Sequence, residues 1–215
     1  MDPKEIRMPV RLLIYLAGIV TVSLGIVLCK KCSLGISPIS SVPFVLEMAV
    51  PLSFGTLTML FHLANTLIQV AMERRLTGKL LLQVPVAVVF GQVINLLQRL
   101  LAFEASALPC KLLCLALSVF FTALGMIFML KMALVQNPPD GTVHKISQIL
   151  GRELGQVKIV YDIFCVLLSV LLSLALLGRV EGFGLATVVS ALFVGKLVTW
   201  MSPPFISLFS RLAAQ

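Results

Sequence analysis

The sequence predicts an all-α, polytopic helical membrane protein: about six transmembrane helices in two inverted three-helix repeats, each with a broken or re-entrant segment. Three observations predict it. Of 215 residues, 59% are hydrophobic and 12% charged, whereas a soluble domain is about a quarter charged. Apolar runs of roughly 20 residues recur, and each is long enough to cross a hydrocarbon core of about 30 Å. The chain also matches itself when displaced by 100 residues.

The first span follows Lys4, Arg7 and Arg11 and covers about 10–31. No small-residue cleavage site follows it, so it reads as a span and not as a signal peptide. The other spans fall at about 54–72, 80–101, 109–134, 157–178 and 183–201. Two segments between them are poor spans. Segment 34–52 is apolar but holds Pro38, Pro43, Pro51 and Glu47; segment 135–155 opens on Asn137-Pro138-Pro139-Asp140-Gly141 and continues through His144-Lys145. Each reads as an extended lead-in followed by a short helix, capped by Ser40 or Ser41 in the first and by Asp140 or Thr142 in the second. Such a segment either re-enters the bilayer beside a cavity or lies on its surface. The sequence leaves both open. The tail 203–215 reads as an interfacial amphipathic helix with Phe205, Leu208, Phe209 and Leu212 on one side.

The net charge of +8 is explained by span ends and lipid head groups, so nucleic-acid binding is not expected. With the N-terminus in the cytoplasm, Lys4, Arg7, Arg11, Arg74, Arg75, Lys79, Lys131, Lys145, Arg152, Lys158 and Arg211 fall on or near the inner side. Lys30, Lys31, Arg99, Lys111 and Arg179 fall outside. This bias places both termini in the cytoplasm.

The internal match divides the chain into 1–105 and 106–202. Arg11 falls on Lys111, Gly25 on Gly125, Lys31 on Lys131, Leu34 on Leu134, Pro38 on Pro138 and Gly55 on Gly155; at an offset of 104, Gly78 meets Gly182 and Gly91 meets Gly195. Three spans per half force the second half to enter the membrane upside down, as in many secondary transporters.

Arg11 at the first span, Leu34-Gly35-Ile36-Ser37-Pro38, Ser53-Phe54-Gly55-Thr56, Pro139-Asp140-Gly141, Gly182-Phe183-Gly184 and Gly195 together give the chain its family likeness. It resembles the YczE/YyaS/YitT-like family of small bacterial multi-spanning proteins over nearly its whole length. The likeness implies a multi-pass protein of the bacterial inner membrane, of a kind suspected of transport, without a substrate. Gly78-Lys79 and Pro138-Pro139 depart from the family's pattern.

Polar groups inside spans default to function. His62, Asn65 and Gln69 share one face of the second span; Gln92, Asn95 and Arg99 share one of the third. The repeat pairs His62 with Asp162 and Gln92 with Lys196. Depth matching then predicts an Asp162–Lys196 ion pair and a cluster of His62 with Gln92 or Asn95. These groups either serve transport or only fix helix register. Gly25, Gly91 and Gly195 are expected to let helices approach closely.

No H-e-x-x-H, G-x-S-x-G or P-loop pattern occurs, so no enzyme, cofactor or catalytic residue is expected. Cys29-Lys30-Lys31-Cys32 has C-x-x-C spacing, but no second close pair completes a metal site. The reading is a small membrane transporter or exporter of a small molecule or ion, working by alternating access. Its substrate is expected near Ser37, Pro38, His62, Asn65, Gln92, Asn95, Asn137, Asp140, Asp162 and Lys196. The alternatives are the substrate-binding subunit of an ECF-type vitamin transporter and a non-transporting membrane regulator. The partners expected are the lipid bilayer and the solute, with a homodimer allowed.

Overall fold

The computed structural model describes residues 6–213, with side chains through Phe205. Within them the chain forms α1 (Met8–Lys31), α2 (Pro38–Ala49), α3 (Phe54–Glu73), α4 (Gly78–Leu100), α5 (Leu108–Met132), α6 (Pro138–Leu150), α7 (Leu154–Leu177) and α8 (Leu185–Ala213). Six helices are long and apolar enough to cross a membrane: α1, α3, α4, α5, α7 and α8 as far as Phe205. Their outward faces carry large apolar side chains, with Leu67 69% and Trp200 80% exposed. A soluble surface does not sustain that density of apolar residues, whereas a lipid-facing one does. The expected tail residues Leu208, Phe209 and Leu212 lie outside the described side chains, though the backbone of α8 runs on unbroken past Pro203 and Pro204.

Local chemistry sets the helix boundaries. Proline stands in the first turn of α1, α2, α5 and α6, where its fixed φ suits a helix and its missing N–H costs nothing. α3 ends on Arg74, α5 on Ala133, α6 on Gly151 and α7 on Gly178, all left-handed, the usual way a helix stops. Ser53 caps α3 by accepting the Thr56 N–H at 3.4 Å. The capping expectation for the short helices is corrected. α2 starts at Pro38 after Ser37, and α6 at Pro138 after Asn137. Ser40, Ser41, Asp140 and Thr142 therefore lie inside their helices, because proline at the first position starts each one a turn earlier.

α1 crosses α5 at the centre of the bundle. A Cβ on Gly25 would sit 2.7 Å from the Thr122 nitrogen, and one on Gly125 would sit 2.5 Å from the Val22 nitrogen. Only glycine lets the two backbones come that close. Around this crossing α4 packs on α1 and α8 on α5, while α2 packs on α7 and α6 on α3. α3 also packs along α4; α7 and α8 share no comparable face.

The depth of the short helices follows from their contacts. The bundle has an amino end, where α1 begins, and a far end, where α1 finishes. The Ser41 hydroxyl, in α2's first turn, donates to the Cys165 carbonyl at 3.3 Å, and Cys165 lies midway along α7. The Thr142 hydroxyl, in α6's first turn, donates to the Asn65 carbonyl at 3.2 Å, and Asn65 lies midway along α3. Both short helices therefore begin at mid-span. α2 runs back to the far end and α6 to the amino end. At 1.5 Å per residue they cover about 18 and 20 Å.

At the far end, the lead-in to α2 pairs with the lead-in to α8. Ile36 N–H donates to the Gly182 carbonyl at 3.0 Å and Ala186 N–H to the Leu34 carbonyl at 2.8 Å. Glu47 adds an ion pair to Lys30 and accepts the Phe54 N–H at 3.2 Å. No such backbone pairing joins the lead-in to α6 with the start of α4 among the described residues.

Candidate functional site

A cavity of about 640 Å³ lies between the short helices and the long ones. It reaches from the mid-span starts of α2 and α6, marked by Ser37, Pro38, Asn137 and Asp140, to the amino end at Glu73, Thr77 and Gln148. One wall is apolar, built by Val22 and Ile26 of α1 with Met126, Met129 and Leu130 of α5. The facing wall is polar.

His62 stands at the deep end. It is 2% exposed, its ring meets Phe90 at 5.0 Å between centroids, and its Nδ1 has no hydrogen-bond partner. The Oδ1 of Asn137 is likewise buried and unpartnered, while its Nδ2 donates to Asp140 at 3.2 Å. Buried polar atoms normally find partners, and these two are left without one by the protein's own groups. Ser37 donates its hydroxyl to Ser40 at 3.1 Å.

Beside them a buried amide network ties α3 to α4 and α6. Gln69 and Gln83 exchange hydrogen bonds through their side chains, both at 3.1 Å. Gln69 Nε2 also donates to the Pro138 carbonyl at 3.0 Å, and the Thr66 hydroxyl donates to Gln83 Oε1 at 3.0 Å. The lead-in to α6 is held from α1. Arg11 donates to the Met132 carbonyl at 2.7 Å and the Tyr15 hydroxyl donates to the Val135 carbonyl at 3.0 Å. Nearer the amino end, Lys145 pairs with Glu73 at 3.2 Å and Lys158 with Asp162.

Of the ten residues singled out from the sequence, Ser37, Pro38, His62, Asn137, Asp140 and Asp162 line this cavity. Asn65 lies just behind its wall, where its Oδ1 accepts from the Tyr161 hydroxyl at 2.6 Å. Gln92, Asn95 and Lys196 are elsewhere. Gln92 is exposed on the outer face of α4. Asn95 accepts the Gly55 N–H at 3.0 Å at the start of α3, so the cluster with His62 is not formed. Asp162 pairs with Lys158, one turn before it, and not with Lys196. The Lys196 ammonium is exposed, 5.8 Å from the Phe193 ring. α8 turns that face away from α7, and the two helices share no packed face to bring the charges together.

Sequence reasoning missed Lys158 as the partner of Asp162, the Gln69–Gln83 pair as a joint and Tyr161 as the partner of Asn65. The i, i+4 spacing of Lys158 and Asp162 was the available signal. At the far end, Cys29 and Cys32 are buried in the core. The Cys32 thiol, just beyond α1, is drawn below its ordinary value to about 7, chiefly by the side-chain hydrogen bond with Cys29.

Against known proteins, the sequence model of a family of unknown function, DUF6198, matches residues 9–203. No curated protein and no solved structure matches the chain.

Proposed function

The chain belongs to the DUF6198 family, and from the geometry of its cavity we propose that it is a small membrane transporter or exporter. It would carry a small solute by alternating access between two inverted halves, α1–α4 and α5–α8. The observation that carries this is the meeting of two short helices, from opposite ends of the bundle, at the mid-span floor of one cavity that runs to a single end. Discontinuous helices meeting at the midplane are how many secondary transporters build a substrate site. The inverted repeat is supported by matched pairs. Gly25 and Gly125 sit at one crossing, and the bonds of Ser41 to Cys165 and Thr142 to Asn65 exchange the roles of the halves. With both termini cytoplasmic, the cavity faces the cytoplasm and the far-end pairing closes the outer side. The resemblance to the YczE/YyaS/YitT-like proteins agrees with a bacterial inner-membrane location.

The ECF-type alternative needs a free small-residue docking face around Ala17-Gly18. Gly18 is instead spent on α5, where its Cβ would lie 3.1 Å from the Met129 nitrogen.

The test is reconstitution. Liposomes holding the purified protein alone are loaded with a metabolite extract and assayed for counterflow by mass spectrometry. One or more solutes are expected to exchange above empty liposomes, without ATP or a partner. No exchange, together with Ser37→Cys and Asn137→Cys that react from one side only under every condition, would end the transport reading.

A further inference from the structure

The two halves copy each other's packing, with a break at α7 and α8. The packing of α4 on α1, of α2 on α7 and of α2 on α3 is matched by that of α8 on α5, of α6 on α3 and of α6 on α7. The packing of α3 along α4 has no such image. Gly55, second in α3, meets Gly91 of α4; a Cβ on Gly91 would lie 2.5 Å from the Gly55 carbonyl oxygen. Their images are Gly155, second in α7, and Gly195 of α8. A Cβ on either meets nothing within 4 Å. The unpacked pair borders the cavity, which Leu154 and Lys158 of α7 line together with Ala191 and Gly195 of α8.

Side-chain length explains why one joint is fixed and the other is not. α3 and α4 are tied by amides long enough to cross between helices. Gln83 donates to Gln69 at 3.1 Å, and Asn95 accepts the Gly55 N–H at 3.0 Å. At the repeat's offsets of 100 and 104, the images of Gln69, Gln83 and Asn95 are Ser169, Thr187 and Thr199. Each has a short hydroxyl spent within its own segment. Ser169 donates to the Val166 carbonyl at 2.8 Å, Thr187 to the Gly182 carbonyl at 3.2 Å and Thr199 to the Gly195 carbonyl at 3.1 Å. These hydroxyls leave α8 untied to α7. The start of α8 is held instead by the lead-in to α2, through the bonds of Ile36 to Gly182 and of Ala186 to Leu34.

We propose that α8 is the moving wall of the cavity: its start lets go of the lead-in to α2 at the far end as its middle packs on α7, through Gly195 and Gly155, and shuts the amino end. α8 is one unbroken helix, so it moves as a rod on its packing against α5. A tilt that carries Gly195 to Gly155 swings residues 182–186 off residues 34–36. The far-end pairing and the α7–α8 contact therefore exclude each other, while the amides keep α4 on α3 throughout. This rests on the reading of the cavity as the solute's path and names the helix that controls it.

The test is cross-linking, which needs no solute. The full-length protein carries Gly155→Cys and Gly195→Cys, both at positions with open space, and the exposed Cys110 is replaced by serine. It is reconstituted in liposomes and oxidised with copper phenanthroline, and the disulfide between positions 155 and 195 is followed by mass spectrometry. The disulfide is expected to form, although the structure holds α7 and α8 apart. Two substitutions weaken the far-end pairing by different means. Gly184→Ala sets a Cβ against the Leu34 carbonyl, and Thr187→Val keeps the shape of the side chain but removes the hydroxyl that bonds Gly182 and Gly184. Each is expected to raise the cross-linking rate at least threefold, and the second keeps the test open if the first fails to fold. A folded protein that forms no disulfide overturns the proposal, and so does a rate that neither substitution changes. Cross-linking without counterflow in liposomes overturns transport and leaves the moving wall standing. Counterflow without cross-linking does the reverse.

Discussion

At the residue scale, partners decide which polar groups the fold depends on. Gln69 satisfies Gln83 and the Pro138 carbonyl at once. Gln69→Leu removes both bonds; the Pro138 carbonyl keeps the Thr142 hydroxyl, but the buried Gln83 Nε2 is left unpaired, at about 1–3 kcal/mol. A clear drop in thermal midpoint in detergent is expected, with faster labelling of Asn137→Cys as the α6 start loosens. An unchanged midpoint would show that water replaces the lost bonds. The two lysines give a sharper contrast. Lys158→Met strands Asp162, whose side chain is 14% exposed. The cost is about 1–3 kcal/mol, below that of a fully buried pair because Lys158 itself is 31% exposed. Lys196→Met removes an exposed ammonium and should change stability by less than about 0.5 kcal/mol. Sequence depth alone pointed to Lys196, since both residues lie a similar distance from the amino end. What it lacked was rotation: a helix apolar on every side does not reveal which face is buried. His62 was legible for the opposite reason, because a histidine inside an apolar span has few places to go.

At the element scale, hydrophobic length and proline placement carried most of the information. All six spans were readable within a few residues, because the bilayer fixes helix length from outside the protein. The short helices were readable as interruptions, through Pro38 and Pro138. Their depth was not, since it rests on hydrogen bonds to Cys165 and Asn65 that no local pattern encodes. Glycine behaves similarly. Gly25 and Gly91 do sit at close crossings, with a Cβ on Gly91 lying 2.5 Å from the Gly55 carbonyl oxygen; Gly195 has nothing within 4 Å. The repeat aligns Gly91 with Gly195, yet α4 packs on α3 while α8 has no such face on α7. Gly25→Val should therefore strongly reduce folded yield, because backbone atoms of α5 cannot retreat; overpacking of this kind typically costs about 1–3 kcal/mol or more. Gly195→Val should leave yield and thermal midpoint nearly unchanged. Equal loss from both substitutions would mean that α7 and α8 close against each other in the membrane.

At the scale of the whole molecule, the two ends are built differently, and the difference sits in the lead-ins. At the far end Gly35 meets Gly184 so closely that a Cβ on Gly35 would lie 2.6 Å from the Gly184 nitrogen. The backbones of 34–36 and 182–186 can then exchange hydrogen bonds. Under the repeat, the same pair at the amino end is Val135 and Leu80. Two side chains stand there in place of two hydrogens, both residues line the cavity, and no backbone pairing forms. The open amino end is thus a consequence of composition as well as of conformation. If the halves alternate, the far-end pairing must release for the other side to open, and its strength sets how rarely that happens. Gly184→Ala places a Cβ against the Leu34 carbonyl and should loosen the pairing without touching the cavity. In intact cells carrying Ser37→Cys, a membrane-impermeant maleimide added outside should then label that cysteine several-fold faster. Gly78→Ala, at the amino end where a Cβ meets open space, should give the unaltered rate. If Gly184→Ala leaves labelling unchanged while the protein stays folded, the far-end pairing is not a gate, and the opening must lie between α7 and α8, the one pair of long helices in the repeat scheme that lacks its packed counterpart.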